Sequence, residues 1–467
     1  MTDLTVVELA RAIRERRVSP VEAVEHYLKR IERLDGRLRA FISVDREGAL
    51  GAARALEADQ MAARWRGPLH GVPLGFKDLF HIRGLPTSGG TKTAEYFFAE
   101  RDATAVSRLV AAGAVTLGKL NLTELAMGPF GDNAHWGHVQ NPWRPGHVAG
   151  GSSSGSAAAV AAGLAAGTLG TDTGGSIRLP AACCGIVGLK PTYGRVSRAG
   201  VMAQSWSLDH VGPMTRTVED AALLLGVIAG HDPLDATSSR RPVPEYLAAL
   251  GQGIGGLRVG VPENYFFDQI DGEVEAGLRE AVRALERLGA GVVQLRVPDP
   301  QVATDVCRII AGAEAASVHA RLLRERPQEL QPLPRARLEL GFRTQAFDYL
   351  QATRLRSRLA REFIREVFRE ADVLVAPVIP EPAPLLSAAT EGPVEELLAR
   401  TGRFSRLTRP FNGLGLPALS VPCGFSRAGL PLGFQIAGRP FDEATVLRVG
   451  HAYERAAGWH ARRPRVD

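Results

Sequence analysis

Cysteine, lysine and long apolar runs are all scarce in this sequence. The 467 residues include four cysteines, too few for a disulfide framework in a chain of this length. No uninterrupted apolar run approaches the roughly 20 residues that a membrane span requires. The amino-terminal residues show no apolar segment ahead of a cleavage-type site. We therefore expect no secretory signal, no membrane contact and a cytoplasmic location.

The basic residues are almost all arginine, because only five of the 56 are lysine. The 50 acidic residues leave a net charge of +6, and both signs are interspersed without a long basic run. Such a balance favours solubility over an electrostatic footprint for nucleic acid, so we expect no nucleic-acid partner. With 45% hydrophobic residues, the chain has ample material for a large core.

Small residues are concentrated between positions 150 and 181. Two glycine/serine clusters, 150–156 and 173–176, flank an uncharged segment. Glycine tolerates backbone angles closed to other residues, and such loops present N–H groups and hydroxyls to a ligand. A helix predicted over 157–166 and a strand predicted over 167–171 hold these loops between packed elements, unlike a flexible linker. We expect the functional site here.

Common motifs account poorly for this stretch. No Gly-Lys-Ser/Thr closes a phosphate-binding loop, and the GxGxxG pattern is not satisfied. Residues 151–155 match the G-x-S-x-G elbow of α/β-hydrolases, which would make Ser153 the nucleophile. That elbow requires a strand immediately before it, whereas residues 141–149 contain two prolines and a glycine and predict a loop. The elbow remains an alternative.

Metal and redox sites are not expected. His135 and His138 could share a helix face, yet no third ligand stands near them, and Gly131 and Gly137 predict a loop. The adjacent cysteines at 183 and 184 lie in an apolar segment and are predicted to be core residues. We expect no metal and no cofactor.

Strand and helix patterns alternate along most of the chain, which predicts an α/β fold. A strand over 72–77 ends in Lys77, and later strands are predicted at 115–119, 257–261 and 373–376. A Ser-Pro-x-Glu start at position 19 predicts a capped second helix near the amino terminus. Two helical segments within about 300–370 interrupt the alternation, and we expect them to frame substrate access.

Several motifs together closely resemble the amidase signature family of serine hydrolases. The serine/glycine-rich pattern is complete: Gly-Gly-Ser-Ser-Ser-Gly at 150–155, an acid at 172, a glycine at 174 and Ser-Ile-Arg-x-Pro-Ala at 176–181. Residues 71–78 read Gly-Val-Pro-Leu-Gly-Phe-Lys-Asp, the family's lysine context. The resemblance implies one α/β/α domain over 1–467 around a large mixed sheet. Its parts would be an N-terminal helical pair (about 4–34), a signature core (about 68–230) and the helical insertion.

The resemblance also implies a Ser-cisSer-Lys triad. Ser176 would be the nucleophile, Ser152 would follow a cis peptide bond and pass the proton, and Lys77 would be the base. A lysine can serve as a base near neutral pH only if burial lowers its pKa. The implied oxyanion hole consists of the backbone N–H groups of Thr173, Gly174, Gly175 and Ser176.

Four further residues have implied roles. Ser153 and Asp172 would support the site through hydrogen bonds. Met127 lies where family members line the acyl pocket, with plain core packing as the alternative. Arg178 would either bind a substrate carboxylate or brace the loop, and we favour the brace.

The expected reaction is hydrolysis of a small-molecule carboxylic amide to acid plus ammonia or amine, through an acyl-enzyme on Ser176. The alternative is the glutaminase component of a tRNA-dependent amidotransferase, which the chain resembles over 190–197. In those proteins an acid precedes the N-x-x-G-L-P-A segment, whereas Ser405 stands there in this chain. A non-catalytic protein of this fold ranks last because all three triad positions are intact. A homodimer is compatible with the family.

Overall fold

The computed structural model describes residues 1, 3–93 and 97–466. Within them the α-helices are α1 (Val6–Arg14), α2 (Pro20–Leu38), α3 (Arg46–Met61), α4 (Thr104–Ala111), α5 (Ser154–Ala161), α6 (Arg178–Cys184), α7 (Val218–Ile228), α8 (Tyr246–Leu250), α9 (Gly272–Arg287), α10 (Pro300–Val318), α11 (Ala320–Glu325), α12 (Pro332–Phe342), α13 (Ala346–Glu370), α14 (Leu386–Thr390), α15 (Val394–Phe404), α16 (Arg409–Gly413) and α17 (Glu443–Ala457). The strands are β1 (Phe41–Val44), β2 (Pro73–Lys77), β3 (Pro86–Thr87), β4 (Phe97–Phe98), β5 (Val115–Leu120), β6 (Gly167–Asp172), β7 (Val187–Lys190), β8 (His210–Thr215), β9 (Arg258–Pro262), β10 (Gly291–Leu295), β11 (Val373–Pro377), β12 (Ala418–Phe425) and β13 (Pro431–Gly438).

Eleven of these strands form one mixed sheet in the order β1-β5-β2-β6-β8-β7-β12-β13-β11-β9-β10. The pairs β5–β2, β2–β6, β11–β9 and β9–β10 are parallel. The central pairs β6–β8, β8–β7, β7–β12 and β12–β13 are antiparallel. The expected α/β class with a large mixed sheet is confirmed.

Both faces of the central sheet are covered. Every residue of β2, β6, β7 and β8 is buried, although successive side chains of a strand point to opposite faces. Helices α5 and α6 pack on the central strands and on each other, while α7, α9 and α17 form another contacting group on the sheet. Strands enclosed in this way place any polar side chain they carry in an environment poor in water.

The capped start of α2 is confirmed. Ser19 Oγ accepts the N–H of Glu22, and the Glu22 carboxylate accepts the N–H of Ser19. Pro20 occupies the first helical position, where its missing N–H costs nothing. In the described part of the chain no helix is both long and apolar enough to cross a membrane. The four cysteines are buried and free.

The helical insertion contains two helices more than the sequence pattern predicts, because the first expected segment is divided into α10 and α11 and a further helix, α12, follows. α10 and α13 lie where helical segments are expected, while α12 lies between them. α12 packs on α10 at a close approach of Gly341 to Gly312, where a Cβ on Gly341 would lie 2.1 Å from the Gly312 carbonyl oxygen. Two adjoining glycines thus let the two backbones meet.

A second close backbone contact, at Gly155 in α5, provides a test of how tightly the core is packed. A Cβ at Gly155 would lie 2.3 Å from the Ala40 carbonyl oxygen and 2.6 Å from that of Asn121. We expect Gly155→Ala to lower the free energy of unfolding by about 1–3 kcal/mol, because neither backbone can move freely. The measurement is thermal or urea unfolding followed by circular dichroism.

Gly51 is the matched control, since it lies in α3 with no atom within 4 Å of an added Cβ. Gly51→Ala should leave stability unchanged or raise it by up to about 1 kcal/mol. Equal stability of the two variants would contradict the close approach at Gly155.

Candidate active site

Lys77 and the serine-rich loops meet at one edge of the sheet because β2 and β6 run parallel. Their register pairs Phe76 with Leu169, so Lys77, the last residue of β2, and Thr171, the last but one of β6, lie at the same end of adjacent strands. Lys77 Nζ lies 2.7 Å from Ser152 Oγ and 2.9 Å from Thr171 Oγ1. The Lys77 amine thereby contacts two hydroxyls that lie 75 and 94 positions away from it in the sequence.

The Lys77 amine is completely buried. Burial lowers the pKa of Lys77 from its ordinary 10.5 to about 7, although the carboxyl groups of Asp209 and Asp172 oppose the shift. A charged ammonium loses solvation inside the protein, so its neutral form is favoured there. A substantial fraction of Lys77 is therefore unprotonated near neutral pH.

Ser152 lies in a tight turn ahead of α5. Gly150 has φ +75°, a region that glycine adopts readily, and the Gly151–Ser152 peptide bond is cis, as the resemblance implies. The Ser152 carbonyl accepts the N–H of Thr123 at 3.2 Å. The next residue, Ser153, donates its N–H to the Ser176 carbonyl at 3.2 Å and its hydroxyl to the Thr171 carbonyl at 3.2 Å. Ser153 thus ties the two serine loops together.

A buried ion pair holds the loop that carries Ser176. The Asp172 carboxylate accepts the N–H of Gly175 at 2.7 Å and contacts both Nε and Nη2 of Arg178, at 3.0 and 3.1 Å. Burial opposes ionisation of Asp172, but the Arg178 guanidinium outweighs it and holds the pKa of this carboxyl well below its usual range. The carboxylate is therefore charged at neutral pH.

Arg178 has every nitrogen of its guanidinium engaged. Besides Asp172, it contacts Gln435 Oε1 at 2.7 Å and Asn412 Oδ1 at 2.6 Å, and the residue is fully buried. It is not among the residues that line the cavity beside Ser176. These contacts agree with the brace, and nothing in them gives Arg178 access to a substrate.

Ser176 lies half-buried in the wall of a narrow cavity. Thr173 and Gly174 line the same cavity, together with Gln204, Arg337 and Arg409. No hydrogen bond joins the hydroxyls of Ser152 and Ser176 in the described residues. Of the four predicted oxyanion donors, Gly175 has its N–H engaged by Asp172, so Thr173, Gly174 and Ser176 are the ones left for a ligand.

Met127 is buried and lines a larger, adjoining cavity rather than the one beside Ser176. Gln204 Nε2 points at its sulfur at 3.3 Å. Its place in an acyl pocket stays a prediction.

A network that the sequence pattern does not indicate connects the insertion with the loop of Thr173. Asp209 accepts the Thr173 hydroxyl at 2.5 Å and the N–H groups of Gln204 and Ser205 at 2.9 Å. Glu314 of α10 accepts the Ser205 hydroxyl at 2.5 Å. Thus a buried acid on the insertion reaches the candidate site through two hydrogen-bonded residues.

The other buried lysines have structural partners. Lys119 forms a buried ion pair with Asp78 at 2.6 Å, and Lys190 donates to the carbonyls of Pro191 and Leu416. Asp78 also accepts the Ser88 N–H at 2.9 Å. His135 Nε2 contacts Glu124 at 2.7 Å, and no cluster of three or more metal-ligating side chains occurs in residues 1, 3–93 and 97–466.

Comparison with known proteins identifies the family of the chain. The family model described as Amidase matches residues 22–447. The chain is 46% identical to the A component of the glutamyl-tRNA(Gln) amidotransferase of Myxococcus xanthus (strain DK1622), covering 97% of each chain. It is 45% identical to an amidase of Pseudomonas putida, covering 100% of this chain and 98% of the relative. The crystal structure of native peptide amidase from Stenotrophomonas maltophilia superposes with a TM-score of 0.86 at 33% identity, covering 98% of both chains. The chain therefore belongs to the amidase family and is an amide-hydrolysing enzyme.

Proposed function

We propose that this enzyme cleaves the C–N bond of a small carboxylic amide through an acyl-enzyme on Ser176, with Ser152 passing the proton and Lys77 as the base. The observation that carries the proposal is the 2.7 Å contact of a buried, weakly basic Lys77 amine with Ser152. The neighbouring loop places Ser176 in a cavity wall.

The acylation step uses these groups in order. Ser176 Oγ attacks the carbonyl carbon while its proton passes to Ser152, whose own proton moves to the neutral Lys77 amine. This relay needs a hydrogen bond from Ser176 to Ser152, and catalytic hydrogen bonds of this kind often tighten only when substrate is bound. The N–H groups of Thr173, Gly174 and Ser176 would stabilise the tetrahedral oxyanion.

Collapse of that intermediate breaks the C–N bond. The Lys77 ammonium returns its proton through Ser152 to the leaving nitrogen, which departs as ammonia or amine. Water then attacks the Ser176 ester by the same proton path, releasing the acid and restoring the hydroxyl. Each half-reaction begins and ends with a neutral amine, which its burial favours.

The alternative function is that of the glutaminase component of an amidotransferase, and the similarity to such proteins favours it. The residues around Ser405 argue against the glutaminase function. Ser405 is buried, and its hydroxyl accepts the Nε–H of Arg409 at 2.9 Å. This wall of the cavity therefore carries a cation where the glutaminase components have a carboxylate. Such a wall offers no ion pair to the ammonium group of glutamine.

Substitution of the three proposed catalytic residues gives the first test of the mechanism. Lys77→Ala and Ser152→Ala should each lower kcat by about 10²–10⁴-fold, since each removes a proton-transfer group. Ser176→Ala should reduce turnover to background. Ammonia release from a panel of aliphatic, aromatic, acidic and urea-type amides plus glutamine is the measurement.

Ser107→Ala, at an exposed position in α4, is the control and should retain full activity. A serine-reactive phosphonate followed by peptide mass spectrometry should label Ser176. Labelling of Ser153 would instead restore the elbow motif as the explanation, and unchanged rates in Lys77→Ala would exclude Lys77 as the base.

The pH profile of kcat/KM tests the state of Lys77. The base must be unprotonated, and its pKa is lowered to about 7, so activity should rise about tenfold per pH unit below pH 7 and level off above it. The assay uses a neutral amide, so the rising part of the pH profile reports a group of the enzyme and not of the substrate. A rising limb near pH 10 would mean that Lys77 keeps an ordinary amine pKa and would contradict the proposal.

Ammonia release from glutamine by the purified chain alone separates the two functions. We expect other amides to be hydrolysed and glutamine to be a poor substrate. Glutamine as the best substrate, with activity that depends on an added partner protein, would favour the glutaminase function.

A further inference from the structure

Two arginines face the cavity that contains Ser176. Arg337 lies on α12 and Arg409 begins α16, so the helical insertion and the segment before β12 each supply one cation. Both residues also line the larger cavity that adjoins the first. The two cavities therefore meet between these side chains.

Neither arginine has an acidic partner in the part of the chain that the structure describes. In residues 1, 3–93 and 97–466, Arg337 makes no hydrogen bond or ion pair within the protein, and the one side-chain bond of Arg409 goes to Ser405 Oγ. No aspartate or glutamate among the described residues lines either cavity. Arg178, two residues after Ser176, shows the usual arrangement, in which a buried guanidinium is saturated by a carboxylate and two amides.

Arg409 is buried and Arg337 is half-buried, and an unpaired cation withdrawn from water is unfavourable, so a pair of them requires a reason. Burial lowers the pKa of Arg337 to about 9, and the charge of Arg409 acts in the same direction. Both guanidinium groups remain charged at neutral pH. Two positive charges thus face a space next to the proposed nucleophile with no counter-ion supplied by the described residues.

A neutral polar group completes this wall. Thr401 is only 3% exposed, lines both cavities, and its hydroxyl has no hydrogen-bond partner in the described part of the chain. A buried hydroxyl normally has a hydrogen-bond partner. The Thr401 hydroxyl is therefore, like the two arginines, free to bind a polar atom of a ligand. Gln204 offers an amide on the same cavity.

Resting on the proposed hydrolysis at Ser176, we propose that the substrate is the monoamide of a short dicarboxylic acid, whose free carboxylate is held by Arg337 and Arg409. Guanidinium groups bind carboxylates through paired, charge-assisted hydrogen bonds. The same wall has no acid to bind an ammonium group, so an amino acid amide such as glutamine would leave its ammonium unpaired next to two cations. The pocket thereby selects for anionic and against zwitterionic substrates.

The test compares matched amides. Succinamate and glutaramate are assayed beside the neutral amides of equal length, butyramide and valeramide, and beside glutamine, which differs from glutaramate only by its ammonium group. We expect kcat/KM for the preferred monoamide to exceed that of its neutral partner by about 10- to 100-fold, the effect of a hydrogen bond to a charged group. Glutamine should fall below glutaramate by a similar factor.

Substitution of the arginines locates the effect. Arg337→Leu and Arg409→Leu should each raise KM for the preferred monoamide at least tenfold and reduce the preference for the monoamide over the neutral amide to about threefold or less. Arg335→Ala, on the same helix but exposed and paired with Glu339, should change neither value. Equal preference for neutral and anionic amides in the wild type, or for glutamine and glutaramate, would overturn the proposal.

A binding measurement keeps the pocket separate from the chemistry. Calorimetric titration of Ser176→Ala with succinate and glutarate should show binding that Arg337→Leu weakens at least tenfold in the double variant. If Ser176→Ala still hydrolyses amides, the proposed mechanism fails while this binding continues to decide the pocket. If neither dicarboxylate binds Ser176→Ala, the pocket proposal fails whatever the activity shows.

Discussion

The enclosure of one amine within a packed sheet edge is the constraint on which the rest of the site depends. Lys77 ends a strand whose five residues are all buried, and its partners are two hydroxyls. A carboxylate in direct contact would raise the pKa of the amine again, and Asp172 and Asp209 already act in that direction from farther away. The small, uncharged residues of α5, and those of β6 ahead of Asp172, exclude water without adding such a charge.

The loop that carries Ser176 is held by the opposite arrangement, a fully paired charge. Asp172, Arg178, Asn412 and Gln435 satisfy one another, and Asn412 also donates to the Asp172 carboxylate at 2.8 Å. Removing one partner from a buried ion pair typically costs ~3–5 kcal/mol, because the other charge remains buried. The loop is therefore fixed by a cluster whose members come from β6, α6, α16 and β13.

The polar core of the site could be predicted from local motifs, whereas the contacts between distant parts of the chain could not. Lys77 and the two serine loops stand in contiguous patterns, and the parallel β2–β6 pair brings them together as an α/β alternation suggests. Arg178 meets Asn412 and Gln435 across 234 and 257 residues, separations that no local pattern reveals. β8, with its glycine and proline, also lacks a clear strand signature.

The residues that line the cavity could not be predicted from the sequence for a related reason. α12 has little amphipathic contrast between two stronger helices, and its contact with α10 depends on a pair of glycines rather than on an apolar stripe. Arg337 and Arg409 lie on different helices, 72 positions apart in the sequence, and they line one cavity only in the folded chain. Ser405 was visible in the sequence as a missing acid, but its bond to an arginine was not.

The distribution of the lysines has a practical consequence for handling this enzyme. Lys77, Lys119 and Lys190 are buried, so Lys29 and Lys92 are the exposed lysine side chains. Reagents that acylate surface amines, and supports that couple through them, therefore meet two side chains and the α-amino group. Lys29 lies on the amino-terminal helix α2, far along the chain from the insertion that borders the cavity. Immobilisation through amines would attach the protein at few, defined points and leave the buried base unmodified.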